Sequence, residues 1–441
     1  MAMNAREAAY TTLLRFDRDG AYINHALNEI FNKNRFSDTD RGFAAELVYG
    51  CLKGRNRLDY IISRFSKVKL KKMSKQVRII LELGTYQIMF MDRVPDSAAC
   101  DESVKLASSH AYRSRGFVNG VLRGICRGKK NIKYPNPENR AEYLSVMLSF
   151  PKWIVDRLTN DYGAEKCEMI LSAANRAYPP YIRKNPLREP LDFLSTLSAD
   201  GIEAEKDGEI EGCYRVNGSL DISRSNTYKN GLFTLQNRSS QMAALTLDPK
   251  PGQFVIDMCA APGGKTTHMA ELMKNKGEIR AFDIHEHKIS LINAAAKRLG
   301  IDIIEAQTRD AAVPAAELLG KADKVLLDAP CSGLGVIHTK PDIRWSRKEE
   351  DIAELVDIQS KLLDAASSYL KPGGHMVYST CTILKDENER QIEKFLKKHS
   401  EFKLVSEETL LTHETGGSGF YIAKLKKEDN FRTRIISDGE K

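Results

Sequence analysis

From Pro251 onward, short apolar runs alternate with amphipathic helical stretches, and this pattern constrains the fold more than any other feature of the chain. The strand-like runs are QFVIDMC, EIRAFD, IDIIEAQ, KVLLDAP and HMVYST, and stretches such as KTTHMAELMKN and HKISLINAAAKRLG separate them. This alternation predicts an α/β fold with a doubly wound parallel sheet. Ligands of such sheets bind at the carboxyl ends of the strands, so the residues that end each strand are the candidate site residues.

The first part of the chain shows only helical periodicity. In INHALNEIF the apolar residues are spaced so that they share one helical face; they are Ile23, Ala26, Leu27, Ile30 and Phe31. Similar stripes occur in RGFAAELVYGCL, KQVRIILELGTYQIMF and RGFVNGVLRGI. We predict an all-α bundle in residues 1–135, with its last helix ending near Arg127 before a linker that contains Pro135 and Pro137.

A chain of 441 residues is expected to form two or three domains. The middle of the chain mixes helical stretches with the strand-like runs PPYIRKNPL and CYRVNGSLDI, which predicts a small α+β module. The predicted division is therefore a helical domain in 1–135, the module with its linker in 136–240, the parallel-sheet domain in 241–428 and a polar tail in 429–441.

Positive charge is concentrated in the helical domain. Residues 1–135 contain 25 Lys and Arg against 13 Asp and Glu, a net charge of +12, whereas the rest of the chain contains 42 against 46. The clusters KVKLKKMSK and RGKKNIK concentrate the excess further. Any one cluster is compatible with a solvated helix face, but an excess over a whole domain favours a polyanionic partner.

The helical domain also resembles a known fold. AREAAYTTLLRF, LELGTYQIMFMDRVPDSAACDESVKLA and RGFVNGVLRGI are similar to the RNA-binding fold of the transcription antitermination factor NusB. The resemblance implies that the basic face of the bundle contacts RNA.

Several kinds of protein are disfavoured by composition. The chain has no apolar run near ~18 residues and begins without the apolar core of a signal peptide, so we expect a cytoplasmic protein that does not bind a membrane. Its eight cysteines show no C-x-x-C spacing, which disfavours a metal site and a disulfide framework. We expect reduced core thiols at Cys51, Cys100, Cys126, Cys167 and Cys213, and a monomeric chain.

Three strand ends indicate a cofactor site. The first strand ends in DMCAAPGGKTTH, where Gly263 and Gly264 permit a tight turn and Lys265 begins a helix. Asp283 closes the second strand, where an acid can accept both hydroxyl groups of a ribose, and Asp310 follows the third. Each acid alone is more typical of a helix cap, but together the three features favour a nucleoside-containing cofactor. Neither G-x-G-x-x-G nor a P-loop is present, so a cofactor without a pyrophosphate is indicated.

The fourth and fifth strands end in thiols. DAPCSGLG brings Asp328 and Cys331 to the sheet edge, and YSTC brings Cys381 next to them. A thiolate can add to carbon 6 of a pyrimidine and so activate carbon 5 for alkylation, a role that Cys381 fits. Asp328 would hydrogen-bond the edge of the base and Lys265 would position or polarise it, although both residues would also be ordinary in a loop.

These motifs carry a second resemblance. CAAPGGKT, DAPCSGLGVI, KPDIRW, LKPGGHMVYSTC and ENERQIEKF resemble the RNA cytosine-5 methyltransferases of the Sun/Fmu type, also called RsmB. The resemblance implies methylation of a cytosine in small-subunit (16S) ribosomal RNA with S-adenosylmethionine as the cofactor. Its cofactor loop corresponds to Ala260, Ala261, Pro262, Gly263, Gly264, Lys265 and Thr266.

The resemblance also assigns roles to the other candidates. Asp283 would bind the ribose, Asp310 would lie near the adenine and Asp328 near the methionine end. Cys381, in the Ser-Thr-Cys motif, would be the nucleophile, and Cys331, in the Pro-Cys motif, would assist product release. DNA cytosine methyltransferases use the Pro-Cys thiol as nucleophile, so this division of roles follows from the family and not from spacing.

Two other functions stay open at this point. A methyltransferase for transfer RNA or large-subunit ribosomal RNA would share every catalytic residue, and only the NusB-like domain argues against it. A non-catalytic RNA-binding assembly or antitermination factor is the second alternative, and the two intact cysteines argue against it. Leu334, Thr382 and Asn237 depart from the family pattern, but none of them is a reacting group.

Overall fold

The structure, a computed structural model, describes residues 3–188, 192–218 and 220–429. Of the predicted tail 429–441, only Asp429 belongs to the described residues. Ser219, in the run CYRVNGSLDI, also lies outside the described residues. The chain forms two compact units. The first contains Met1–Asn175 and the separate segment Thr339–Arg347, and the second contains Arg176–His338 and Lys348–Lys441.

The first unit is helical throughout its described residues. Its elements are α1 (Ala5–Asp19), α2 (Ile23–Lys33), α3 (Asp38–Phe65), α4 (Lys75–Phe90), α5 (Asp96–His110), α6 (Arg115–Gly128), α7 (Arg140–Met147), α8 (Lys152–Tyr162) and α9 (Ala164–Ala174). The segment Thr339–Arg347 adds a short helix, Ile343–Ser346, which is α15 in chain order.

Local sequence signals account for these helices. Asn4, Ser37 and Ser74 precede α1, α3 and α4, and each side chain accepts a hydrogen bond from a backbone N–H of the first turn. The apolar face predicted from INHALNEIF is buried in α2, with no more than 8% exposure at any of its five residues. The prediction of a helical N-terminal domain is confirmed.

A buried network of charges links three of these helices. Arg55 of α3 donates from both terminal nitrogens to Asp17 of α1, at 2.8 and 3.0 Å, and its Nη2 lies 3.3 Å from Glu82 of α4. The side chains of Arg55 and Glu82 are 6% and 0% exposed. Because a buried charge without a partner is costly, the network fixes how α1, α3 and α4 pack together.

The second unit begins with a small antiparallel sheet. Its strands are β1 (Tyr181–Lys184), β2 (Ala204–Lys206), β3 (Cys213–Val216) and β4 (Phe233–Leu235), in the order β2-β3-β1-β4. The accompanying helices are α10 (Phe193–Ala199) and α11 (Asn226–Lys229). The two strands predicted in this region therefore pair with each other as β1 and β3.

The rest of the second unit is a seven-stranded sheet with helices. Its strands are β5 (Phe254–Asp257), β6 (Glu278–Asp283), β7 (Ile304–Thr308), β8 (Ala322–Asp328), β9 (Leu370–Thr380), β10 (Phe402–Leu410) and β11 (Phe420–Lys427). Its helices are α12 (Arg238–Leu247), α13 (Gly264–Leu272), α14 (Glu286–Leu299), α16 (Asp351–Tyr369), α17 (Glu389–Lys398) and α18 (Thr412–Thr415).

The order of the strands is β10-β11-β9-β8-β5-β6-β7. Strands β5 to β9 run parallel to one another, which confirms the predicted doubly wound α/β sheet. The first of them, β5, lies between β8 and β6, so the direction of winding reverses there and opens a crevice at the carboxyl ends. The hairpin of β10 and β11, which pairs antiparallel with β9, was not predicted.

Among the described residues, no helix is both long enough and apolar enough to cross a bilayer.

The buried network of the first unit gives a stability prediction. Replacing Arg55 with Met leaves the carboxylates of Asp17 and Glu82 without their shared partner. We therefore expect the free energy of unfolding to fall by about 3–5 kcal/mol. Hydrogen exchange at the amides of α3 and α4 would measure it locally. The matched control is Arg18→Met, because the Arg18–Asp19 pair is exposed and is expected to contribute less than about 1 kcal/mol. Equal losses in the two variants would contradict a stabilising role for the network.

Candidate active site

A cavity of about 460 Å³ opens at the carboxyl ends of the parallel strands. Its lining includes residues from the ends of five strands, among them Ala261, Asp283, Asp310, Asp328, Cys331 and Cys381. Residues that are far apart in the sequence meet here because parallel strands deliver their carboxyl ends to one edge of the sheet. The structure therefore brings together six of the residues that the sequence singled out.

The two thiols are neighbours because β8 and β9 pair in parallel. Asp328 pairs with Ser379 in the strand register, so the chain leaves both strands at the same level. Cys331 follows β8, Cys381 follows β9, and their Sγ atoms are 3.3 Å apart. The hydrogen bond with Cys381, together with burial, raises the pKa of Cys331 well above its usual value. A proton is therefore held more firmly at Cys331 than at an ordinary cysteine.

A glycine holds the Cys331 loop against the backbone of Cys381. The N–H of Gly335 donates to the carbonyl of Cys381 at 2.9 Å, and the carbonyl of Gly335 accepts from the N–H of Gly419 at 2.8 Å. A Cβ at position 335 would lie 2.1 Å from the Gly419 oxygen and 2.8 Å from the Cys381 oxygen. A side chain at position 335 would push the two loops apart, so the second glycine of CSGLG is what permits their close approach.

An ion pair lies at the same edge of the sheet. Lys265 Nζ is 2.6 Å from Asp328 Oδ2, and the Ser379 hydroxyl donates to Asp328 Oδ1 at 2.9 Å. The Lys265 ammonium also lies 5.1 Å from the centre of the Phe420 ring. The carboxylate of Asp328 lines the cavity. Lys265 does not line the cavity itself, and it reaches the site through Asp328.

The loop after β5 supports the cavity more than it lines it. Of the seven loop residues, only Ala261 contributes to the lining; Ala260, Pro262, Gly263, Gly264, Lys265 and Thr266 do not. Gly263 has φ 102°, and a Cβ there would approach Ile292 Cα at 3.2 Å. The hydroxyl of the buried Thr266 donates to Asp257 Oδ2 at 2.7 Å. Burial raises the pKa of Asp257 to about 7, and sequence analysis did not single this residue out.

Each of the two outer acids accepts a hydrogen bond from a backbone N–H, and Asp283 also lies near a lysine. Asp283 Oδ1 accepts from the N–H of His285 at 3.0 Å and lies 3.7 Å from Lys288 Nζ. Asp310 is exposed, and its Oδ1 accepts from the N–H of Ala312 at 3.0 Å. Asp283 thus closes β6 with its Oδ1 atom in contact with the next turn of the chain.

The rest of the lining suits a nucleoside-containing cofactor. The apolar part includes Ile284, Ala311, Ile358 and Leu362, and the carboxylates come from Asp283, Asp310 and Asp328. Its volume falls within the range typical of small-molecule sites, about 300–1,000 Å³. The residues present therefore fit a ligand with a flat apolar base, a ribose and a polar chain. Ile358 and Leu362 are four residues apart on α16, a spacing that sequence analysis could have noticed.

Sequence analysis also missed a buried arginine that holds the cofactor loop. Arg183 of β1 is 2% exposed, and its Nη1 donates to the carbonyl of Gly264 at 2.9 Å. Its Nε and Nη2 donate to the two carboxylate oxygens of Glu271 at 2.7 and 2.9 Å, and Nη2 also donates to Thr267 Oγ1 at 3.2 Å. The run RKNPL gave no signal for this role, because the contact joins the small sheet to α13.

Four of the five thiols that were predicted to lie in the core are buried. Cys51, Cys100, Cys167 and Cys213 are buried, whereas Cys126 is partly exposed and lies 3.6 Å from Cys100, Sγ to Sγ. Within residues 3–188, 192–218 and 220–429, no group of three or more His, Cys, Asp or Glu is arranged to hold a metal ion.

Three family models match this chain. The model described as 16S rRNA methyltransferase RsmB/F matches residues 244–426, and the NusB family model matches residues 3–127. A model of the ferredoxin-like domain of RsmF/B-like methyltransferases matches residues 150–223. The matches cover the parallel-sheet region, the N-terminal helices and most of the small sheet.

Curated relatives extend over nearly the whole chain. The probable ribosomal RNA small subunit methyltransferase B of Bacillus subtilis is 36% identical, over 96% of this chain and 99% of its own length. The ribosomal RNA small subunit methyltransferase B of Photorhabdus laumondii is 34% identical, over 90% of this chain and 92% of its own length.

Solved structures share the fold over much of the chain. The crystal structure of PH0851 covers 95% of this chain and 98% of its own, with a TM-score of 0.81 and 30% identity. NSun6 from Pyrococcus horikoshii, solved with SFG, covers 65% of this chain and 99% of its own, with a TM-score of 0.58 and 25% identity. The chain therefore belongs to the RsmB family of ribosomal RNA methyltransferases, whose methyl donor is S-adenosylmethionine.

Proposed function

We propose that this protein methylates carbon 5 of a cytosine in small-subunit (16S) ribosomal RNA through a covalent bond between Cys381 and the RNA. The observation that carries the proposal is the pair of thiols 3.3 Å apart at the edge of a cavity that fits a nucleoside-containing cofactor. The curated relatives named ribosomal RNA small subunit methyltransferase B support the choice of substrate.

In the proposed reaction, carbon 5 of cytosine must attack the methyl group, but on its own it is a poor nucleophile. A nucleophile of the enzyme must therefore activate the ring first. The thiolate of Cys381 adds to carbon 6, and the electron pair of the C5=C6 bond becomes available at carbon 5. S-adenosylmethionine, when bound, supplies an electrophilic methyl group to that carbon. Loss of the carbon 5 proton to a base then restores the C5=C6 bond and expels Cys381 as a thiolate.

Four other residues have proposed roles in these steps. Asp328, fixed by Lys265 and Ser379, would accept a hydrogen bond from the edge of the cytosine. Lys265 would position or polarise the base through this carboxylate. Cys331 would assist release, since its thiol lies in contact with the sulfur that must leave. These roles require the base to be turned out of its stack so that it enters the site.

The cofactor would occupy the part of the cavity that Asp283 and Asp310 line. Asp283 would accept the ribose hydroxyl groups, and Asp310 would lie near the adenine. Ala261 would contact the cofactor directly, while Ala260, Pro262, Gly263, Gly264 and Thr266 would give the loop its shape. Asp328 would lie near the methionine end, where methyl transfer takes place.

The exposed lysines of the first unit would contact the RNA backbone. Lys67, Lys69, Lys71 and Lys72 are all exposed and lie within six residues of one another, between α3 and α4. Their charges fit a phosphate-rich partner, in agreement with the net charge of residues 1–135. We propose a cytoplasmic, monomeric enzyme that binds its RNA through this surface.

The substrate assignment can be tested in cells. Bisulfite sequencing of 16S ribosomal RNA from a strain that lacks the gene should show one cytosine that has become fully convertible, and complementation should restore its protection. A lost signal in transfer RNA or 23S RNA instead would move the activity to that substrate.

The ribose contact gives the first prediction for this site. Asp283→Ala removes a charged acceptor of two hydroxyl hydrogen bonds, so the affinity of the full chain for S-adenosylmethionine should fall by about 10- to 100-fold. Calorimetric titration measures it. Glu286→Ala is the matched control, because Glu286 is an exposed acid three residues further on that does not line the cavity. Unchanged affinity in Asp283→Ala would remove Asp283 from the binding site.

The two thiols should give opposite results. Cys381→Ala cannot form the adduct and should lose methylation completely, whereas Cys331→Ala should still attack, transfer the methyl group and then stall with RNA attached. A denaturing gel should show a slow, nuclease-sensitive band for Cys331→Ala and none for Cys381→Ala. Cys126→Ala, which changes a partly exposed thiol of the first unit, is the control. The reverse pattern would make Cys331 the nucleophile.

The basic surface makes a prediction about salt. If Lys67, Lys69, Lys71 and Lys72 contact phosphates, changing all four to Gln should reduce the slope of log affinity against log salt by up to about 3. The affinity for S-adenosylmethionine should not change. The control changes four exposed lysines of the second unit to Gln: Lys274, Lys276, Lys297 and Lys321. An unaltered slope in the first variant would show that this surface does not bind RNA.

A further inference from the structure

Two fully buried polar residues contact the loops that carry the two thiols. Glu387 ends a short 3₁₀ turn, Asn388 follows it at the start of α17, and both side chains are 0% exposed. Neither residue lines the cavity, so neither reaches the substrate or the cofactor. A buried carboxylate and a buried amide in this position need partners, and the partners are the two loops that carry the thiols.

Glu387 holds the loop of Cys331. Its Oε1 accepts from the backbone N–H of Ser332 at 2.8 Å, and its Oε2 accepts from the Ser332 hydroxyl at 2.5 Å. Gln359 donates to Glu387 Oε1 at 3.0 Å and to the carbonyl of Pro330 at 2.9 Å. The residues on both sides of Cys331 are therefore tied to one carboxylate and its amide neighbour.

Asn388 holds the loop of Cys381 in the same way. Its Oδ1 accepts from the Thr380 hydroxyl at 2.6 Å, and its Nδ2 donates to the Thr382 carbonyl at 3.2 Å. The residues on both sides of Cys381 are thus bound to one amide. A further hydrogen bond of 2.7 Å joins the hydroxyls of Ser332 and Thr382 and connects the two loops.

Further buried hydrogen bonds hold Glu387 and its partner Gln359 in place. The hydroxyl of Tyr378, in β9, donates to the carbonyl of Glu387 at 2.6 Å. Gln391, one turn into α17, donates to Gln359 Oε1 at 3.2 Å and so orients the amide that contacts Glu387. The two residues cannot shift without breaking several buried hydrogen bonds, each of which would leave an unsatisfied group.

We propose that Glu387 and Asn388 are positioning residues that set the two thiols for separate steps of the reaction. Glu387, through Ser332, sets Cys331 for product release, and Asn388, through Thr380 and Thr382, sets Cys381 for attack. This inference rests on the proposed covalent mechanism. Reacting groups lose about 100-fold in rate when they are misplaced by roughly 1 Å, so the positions of these loops matter to the chemistry.

The first test separates position from charge at residue 387. Glu387→Gln keeps the length of the side chain; its oxygen can accept from Ser332 and Gln359, and its amide can donate to the Ser332 hydroxyl. Glu387→Asp keeps the charge but draws the carboxylate back from Ser332. We expect Glu387→Gln to retain most of the release rate and Glu387→Asp to slow release by on the order of 100-fold. The reverse order would show that the charge of Glu387, and not its position, matters.

The second test compares the two residues on the same denaturing gel. Glu387→Asp should accumulate RNA attached through Cys381, because attack proceeds and release does not. Asn388→Ala should turn over slowly and accumulate no adduct, because attack itself is impaired. A purely structural role would slow both variants with the same distribution of free and attached RNA, and that outcome would overturn the inference.

Controls keep the outcome interpretable. Each variant should bind S-adenosylmethionine with wild-type affinity by calorimetry, and Glu393→Asp, an exposed acid of α17, should behave as wild type. If Glu387→Asp does not fold, Ser332→Ala removes the hydroxyl that Glu387 Oε2 accepts, and the same adduct is expected. A wild-type protein that forms no 5-methylcytosine would refute the proposed function. If the wild type is active and the Glu387→Gln and Glu387→Asp variants release RNA at equal rates, only this inference would be refuted.

Discussion

The parallel pairing of β8 with β9 is the interaction on which the site depends. It sets Asp328 beside Ser379 and brings the next turns of the chain to one level, where Cys331 and Cys381 come into contact. Neither thiol is near the other in the sequence, and a shift of one residue in this register would turn the side chains of one strand to the opposite face of the sheet. The contact between the two thiols therefore depends on a backbone register that the buried strands define.

Directional hydrogen bonds then hold each loop in place. Arg183 binds Glu271 and the carbonyl of Gly264 beneath the cofactor loop, and Glu387 binds Ser332 beneath the thiol loop. Apolar residues of similar volume can stabilise a core as well as a buried ion pair does, so stability alone does not account for charged groups here. What an apolar contact cannot provide is a fixed direction between a donor and an acceptor. The buried charges make sense as supports for loops whose geometry matters.

Much of this arrangement could be predicted from the sequence, for physical reasons. Apolar runs that alternate with helices indicated the parallel sheet, and the residues after each strand were expected to meet at its edge. Six of the predicted site residues do meet there: Ala261, Asp283, Asp310, Asp328, Cys331 and Cys381. The order of the strands was not predictable in this way, since it depends on packing over the whole sheet.

Other features left no local signal. Strand β10 was missed because seven of its nine residues are exposed or only partly buried, so it lacks the apolar run of a central strand. Arg183 and Glu271 meet across 88 residues of sequence, between a small sheet and a helix. The placement of Glu387 under Ser332 likewise depends on how α17 returns to β9, and nothing in ENERQ distinguishes a buried acid from an exposed one.

The contact between the thiols also bears on the order of events in the proposed mechanism. Two thiolates with their sulfur atoms 3.3 Å apart would repel strongly, so the pair gives up its first proton more readily than its second. A thiolate at Cys381 keeps the proton on Cys331, because the hydrogen bond and the like charge both raise the pKa of Cys331. Once Cys381 is bonded to carbon 6, its sulfur carries no charge and both effects weaken. Burial and the nearby carboxylates still raise the pKa of Cys331 after attack, but the contribution of a Cys381 thiolate is gone. In the proposed mechanism, Cys331 is therefore better able to exchange a proton during release than before attack.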